Sequence, residues 1–466
     1  MNKKLLALAV AASVYAPIVA MADPAGVTLY GRLNTELEID SATDCKGAGC
    51  ANQASRSRIS SNSSMIGFKG KEEVSPGLYG IFQIESSVNV GGSVTPAVGA
   101  PQASPASGAI GTLASRNSNV GLTSDNYGTI FYGIWDTPYK SSTQPLDVFY
   151  ADAGAYNYTA ILSGNSTPSL DNTYNRRSFD RRQENSVEYW TPNFSGLSAR
   201  ALYTTNSQRT ASTAPVQADP ATYGLSVTYD KDGIYGTAAY ERHFEYAATP
   251  AQKSNDFGVK IGLGYTYQDT SVSFIGEQLV YSGALNNSGT GVGTYYASGL
   301  GYTDANSTQN FPGTAGAATA INGGPSLFTK TIAGASLNAA TEARLRSYYL
   351  GLKQKVGAGT IRAAYAFDQG VQLNNGQSAP LTRARAIILG YSYSLSKRTD
   401  VYAAFVQVNN DDNSKNDLGG GTQLGGVANG ATVRSTGVGF RHTFLLLSSL
   451  LTCTKAAYTS VRFDSE

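Results

Sequence analysis

The sequence predicts an all-β chain forming a transmembrane antiparallel β-barrel of sixteen strands, and three observations carry the prediction. Apolar and polar residues alternate with period two in segments of about ten residues. The less apolar face of these segments carries charges and glycines through many successive strands, which suits a wet lumen and not the dry centre of a sandwich. Connections alternate between short turns and long polar stretches, the asymmetry of a barrel with turns at one membrane surface and loops at the other.

The alternation is plainest at 257–267, where Phe257, Val259, Ile261, Leu263, Tyr265 and Tyr267 are large and the residues between them are Gly, Lys or Thr. Tyr223, Leu225, Val227 and Tyr229 repeat it against Gly224, Ser226 and Thr228. In the first segment Leu29, Leu33, Leu37 and Ile39 oppose Tyr30, Arg32, Asn34, Glu36 and Glu38. Strands are expected at 27–39, 61–73, 78–90, 112–123, 129–140, 185–194, 197–206, 221–230, 234–246, 256–268, 271–281, 344–356, 360–368, 383–395, 400–409 and 432–444. The count is even, as a single-chain barrel requires, and about sixteen strands enclose an aqueous channel. The alternation is weakest at 116–122 and 401–408. The turns at 229–234 and 356–360 are short, whereas 141–184 and 282–343 are far longer than hairpin loops. Tyr189, Tyr281 and Tyr348, at strand ends, are expected in the aromatic girdle at the headgroup level.

Composition narrows the function. With 10% aromatic residues and nearly balanced charge the chain is not of the disordered type, and it lacks the apolar runs of roughly twenty residues that helical spans need. Two His and three Cys leave little material for metal centres or histidine-dependent catalysis. Neither a Gly-x-Ser-x-Gly nucleophile turn nor a phosphate-cradling Gly-Lys-Ser/Thr loop occurs, so no enzyme, metal or cofactor is expected.

Lys3 and Lys4 precede an apolar stretch, 5–20, that ends in Ala20-Met21-Ala22, so residues 1–22 are expected to be a cleaved export signal. Without those two lysines the 35 basic side chains fall level with the 33 acidic ones, and no global field favours nucleic acid. In an oxidising exported compartment Cys45 and Cys50 are expected to close a small disulfide loop, leaving Cys453 over.

Several motifs resemble the general diffusion porins of Gram-negative outer membranes, especially the betaproteobacterial type. They are Val27-Thr28-Leu29-Tyr30-Gly31, Gly67-Phe68-Lys69-Gly70, Trp135-Asp136-Thr137-Pro138-Tyr139-Lys140, and the block from Phe179-Asp180-Arg181-Arg182 through Val187-Glu188-Tyr189-Trp190-Thr191-Pro192 to Gly196. The resemblance implies a homotrimer of barrels in the outer membrane, in contact with lipid and lipopolysaccharide and inserted by the barrel-insertion machinery. It also implies a long third loop folded into the pore, here 141–184, with acids Asp147 and Asp152 opposite a basic wall of Arg32, Arg116 and Arg182. Met65 stands where relatives commonly carry Arg. The barrel is expected to span 23–444, with Phe444 as the aromatic C-terminal assembly signal and 445–466 as an atypical extension. The function implied is passive diffusion of ions and small hydrophilic solutes. A solute-specific channel and a non-conducting adhesin or anchoring barrel are the alternatives.

Overall fold

The computed structural model describes residues 26–46, 50–91, 113–149, 154–163, 179–205, 221–244, 255–282, 342–373, 381–412, 414–419, 424 and 427–447. Residues 1–22, Asp152, Cys453 and most of 445–466 lie outside them. The strands are β1 (Gly26–Thr43), β2 (Gln53–Ser61), β3 (Met65–Ser75), β4 (Leu78–Ser87), β5 (Ser118–Ser124), β6 (Gly128–Asp136), β7 (Arg182–Trp190), β8 (Leu197–Thr204) and β9 (Ala221–Lys231). They continue as β10 (Ile234–Phe244), β11 (Asn255–Tyr267), β12 (Thr270–Ser282), β13 (Glu342–Val356), β14 (Gly359–Leu373), β15 (Ala384–Ser394), β16 (Thr399–Asn410) and β17 (Thr432–Leu447).

From β3 to β17 each strand pairs antiparallel with the next, and β17 pairs back onto β1 from Thr28 opposite Leu447 to Thr43 opposite Thr432, closing the ring. Both β2 and β3 lie on β1, β3 along Gly26 to Arg32 and β2 along Thr35 to Ala42, so the two form one interrupted stave and the barrel has sixteen. At the interruption Ser63 takes φ 53°, and Ser64 Oγ donates to the Asn34 carbonyl while accepting from its N–H.

The two faces sort as the alternation requires. Leu37, Leu225, Leu263 and Leu389 leave between 49% and 59% of their surface exposed, while Asn34, Glu36, Glu38 and Asp40 are buried on the opposite face of β1. An apolar outer belt on this scale calls for lipid as its neighbour. Tyr189 belongs to that outer surface and donates to the Tyr127 carbonyl; Tyr348 stacks on Phe367 at 5.1 Å. The side chain of Tyr281 lies outside the described residues.

Some boundaries differ from the sequence pattern. β2 escaped it because Ile59 is its only large apolar residue; its pairing with β1 holds it instead. β5 begins at Ser118, six residues later than expected, and β6 stops at Asp136 because Pro138 has no N–H to continue a ladder. β17 runs beyond Phe444, since Leu445 to Leu447 still pair with Tyr30 to Thr28.

After β6 the chain turns into helix α1 (Pro138–Thr143), where Thr137 Oγ1 accepts from the Lys140 N–H and Pro138 opens the first turn. Short 3-10 turns follow at Gln144–Leu146, Gly154–Tyr156 and Tyr158–Ala160. This stretch lies against the inner face, and glycines make room for it. A Cβ on Gly262 would stand 2.4 Å from Leu146 Cδ1, one on Gly351 2.9 Å from Val148 Cγ1, one on Gly390 2.7 Å from the Phe149 ring, and one on Gly437 2.5 Å from the Tyr156 hydroxyl. Phe149, Tyr156, Tyr158 and Leu162 are thereby buried with Ile275, Tyr349, Ile388 and Val406 of the wall. Each such side chain contributes about 1.5–3 kcal/mol of apolar burial. Leu418 and Leu424, from the connection between β16 and β17, join the same core, and the Gly419 N–H donates to the Ala155 carbonyl.

Candidate functional site at the inner wall

The inward face of β1, β3, β4, β6 and β7 carries one group of charges. Arg116, just ahead of β5, pairs with Glu85 of β4, which also accepts from the Tyr30 hydroxyl. Arg182, at the start of β7, donates to Asn117 Oδ1 at 2.6 Å and pairs with Asp136 at 3.4 Å; Asn117 in turn donates to Asp136. Lys140 of α1 stands 3.2 Å from Asp136 and 3.9 Å from Asp180, whose other oxygen accepts from the Tyr158 hydroxyl at 2.8 Å. Arg182, Asn117, Asp136, Lys140 and Asp180 thus share one network, and Arg116 pairs with Glu85 on the same face. Arg32, on the same face of β1, donates to the Ser63 carbonyl at 3.1 Å. Cys45 and Cys50 are joined in a disulfide beyond the end of β1.

Asp147 sits elsewhere. Its carboxylate accepts from the N–H groups of Phe149 and Tyr158 and from the hydroxyl of Tyr349 on β13, and it is buried there rather than turned to Arg32, Arg116 or Arg182. The acid that meets Arg182 is Asp136, and the acid that meets Arg116 is Glu85. Asp136 closes the Trp135-Asp136-Thr137-Pro138 motif, and its place just ahead of the helix-opening proline was the available signal. Phe444 pairs with Gly31 across the β1–β17 seam, its ring where a Cβ on that glycine would stand.

A second anchor went unread. Lys260 of β11 and Glu277 of β12 are directly opposite in register and fully buried, 3.3 Å apart. Glu277 accepts from the Tyr139 hydroxyl at 3.0 Å and from the Ser163 N–H at 2.6 Å, and the Lys260 ammonium lies 4.3 Å from the Tyr139 ring centre. One ion pair therefore holds both ends of the inner stretch.

Burial raises the Asp147 carboxyl to about 6 from its usual 3.8, with its three hydrogen bonds opposing the shift. A carboxyl raised on folding stabilises the seated stretch fully below pH 3.8 and loses that contribution as pH rises through about 6, a difference of up to about 3 kcal/mol. Open-channel current is expected to be quieter at pH 4 than at pH 7, and Asp147→Asn is expected to flatten the pH dependence. Equal noise at both pH values in the native chain would count against this role.

A closed ring of sixteen staves, apolar outside and charged inside, with a stretch of its own chain packed on the inner face, has the architecture of a membrane-spanning β-barrel. The sequence profile of the Gram-negative porins matches residues 7–274 and 252–413, and the chain belongs to that family. It is 27% identical over 243 residues to the major outer membrane protein P.IB of Neisseria sicca, a match covering 51% of this chain and 57% of that protein. The chain thus spans little more than half the length of this relative. Against outer membrane porin protein 32 of Delftia acidovorans the identity is 26% over 451 residues, covering 95% of this chain and all of the other. The anion-selective porin from Comamonas acidovorans shares the fold, with a TM-score of 0.61 at 21% identity over 90% of this chain and all of that one.

Proposed function

We propose that the chain forms a water-filled channel through which ions and small hydrophilic solutes diffuse passively, and that it works as a homotrimer. The observation that carries the reading is the division of faces around a closed ring, with Arg32, Arg116 and Arg182 on one inner arc and the α1 stretch packed on the wall from β9 to β17. Charges across a narrow aqueous passage weight ions by sign, while the inner stretch limits solute size. The mechanism needs no chemistry from the wall. Arg32, on the inward face of β1 beside the Ser63 turn, is the arginine assigned to selectivity. In a salt gradient across a planar bilayer, Arg32→Ala is expected to shift relative permeability toward cations on the order of twofold. An unaltered reversal potential would remove Arg32 from the selective part of the pore, and absence of any conductance from the folded native chain would remove the channel.

A further inference from the structure

The chain has two tryptophans, Trp190 beside the short turn that follows β7 and Trp135 near the far end of β6, and their rings meet on the inner face instead of joining the headgroup belt where indoles of membrane proteins usually lie. Trp135 and Trp190 meet edge to face at 5.5 Å, and each meets the fully buried ring of Phe131, at 5.1 and 5.0 Å. Gly133, between Phe131 and Trp135 on β6, lets the backbone of β5 come close at this point; a Cβ there would stand 2.1 Å from the Ser118 carbonyl oxygen. Polar contacts fix the outer indole, since the Trp190 N–H donates to Glu188 at 2.8 Å and the Arg200 guanidinium lies 4.4 Å over the ring.

Beside this aromatic wall a cavity of about 400 Å³ opens, bounded on its other side by Lys69, Lys71, Gln83 and Asn119. The Lys69 ammonium lies 5.3 Å from the Tyr30 ring and that of Lys71 3.8 Å from the Tyr79 ring. Among the described residues neither lysine is in an ion pair. Glu73 continues the same strand, and its carboxylate accepts from the Gly77 N–H at 3.4 Å. A flat apolar wall facing two ammonium groups across a space of this size matches a solute that is planar at one end and anionic at the other.

We propose that this cavity is a transit subsite for small aromatic carboxylates, with the ring against Trp135 and Trp190 and the carboxylate between Lys69 and Lys71. It deepens the channel reading and rests on it. A sugar would use the indoles too, but its hydroxyls have no need of two cations. Binding is weak, with a Kd on the order of 1 mM, as release into the passage requires.

Because both tryptophans line the cavity, tryptophan fluorescence of the refolded full-length chain reads this site directly. Benzoate is the probe, with acetate, benzyl alcohol and glucose as comparators, and chloride current is recorded from the same preparation. The expected result is a saturable fluorescence change with benzoate alone, weakened about tenfold in Lys69→Gln/Lys71→Gln, with heat-modifiable migration confirming that the variant is folded. Lys71→Gln alone serves should the double variant fail to fold, with a smaller weakening expected. A response that never saturates, one shared equally by benzyl alcohol, one given by glucose in place of benzoate, or one unchanged in the lysine variants would overturn the proposal. A chain that conducts chloride without a saturable benzoate response keeps the channel and loses the subsite. A chain that binds benzoate without conducting loses the channel reading and with it the transit role.

Discussion

Glu277→Ala is expected to release the inner stretch from the barrel wall while the barrel itself persists. The substitution removes the acceptor of the Tyr139 hydroxyl and the Ser163 N–H and leaves the Lys260 ammonium buried without its carboxylate. Breaking one side of a buried pair costs about 3–5 kcal/mol, more than any single apolar contact of the stretch returns. Both ends of the stretch hang on this carboxylate, so the loss is felt at α1 and at Ser163 together. Single-channel conductance is expected to rise and fluctuate, and trypsin is expected to cleave at Lys140 in the folded variant but not in the native chain. Lys260→Met/Glu277→Leu, which leaves no orphaned charge, is expected to be milder than Glu277→Ala. Native-like conductance and protease resistance in Glu277→Ala would refute the anchoring role.

The second large effect is expected at Phe149. Its ring is fully buried, its edge occupying the space where Gly390 would otherwise carry a side chain. Phe149→Ala is expected to cost about 3–5 kcal/mol of seating energy, the range for truncating a buried aromatic. Gly390→Leu alone is expected to overpack the same place by about 1–3 kcal/mol. Combined, the two substitutions exchange volume across one contact, and the double variant is expected to be more stable than the sum of the single effects predicts. Thermal unfolding in detergent, with current noise as a second readout, gives the cycle; strict additivity would mean that ring and glycine do not share a site.

The barrel was legible because lipid imposes its rule residue by residue: at Leu225, Val227, Leu263 and Tyr265 the side chain must be apolar whatever lies on the other face. Where the stave rises with little apolar surface, as in β2, that rule falls silent and only the partner strand reveals it. The arginines of the inner wall could be read as charges on a polar face, but their partners could not. The resemblance places Asp147 among the pore-facing acids, and nothing beside it in sequence shows that Tyr349, 202 residues further on, joins the Phe149 and Tyr158 N–H groups in holding it. Lys260 and Glu277 were within reach, since the tight turn between β11 and β12 fixes the register that sets them opposite each other. The glycines of the inner face suit a wet lumen. Several of them are sockets for Leu146, Val148, Phe149 and Tyr156, and no alternation pattern says what a vacant Cβ is reserved for.

The seam between β1 and β17 unites the first and last staves of the cylinder, Thr28 beside Leu447, and Tyr156 touches the final stave at Gly437. β1 and β17 are the farthest apart in sequence of any paired strands among the described residues, so the zipping of this seam is expected to be the slowest pairing of the cylinder to form.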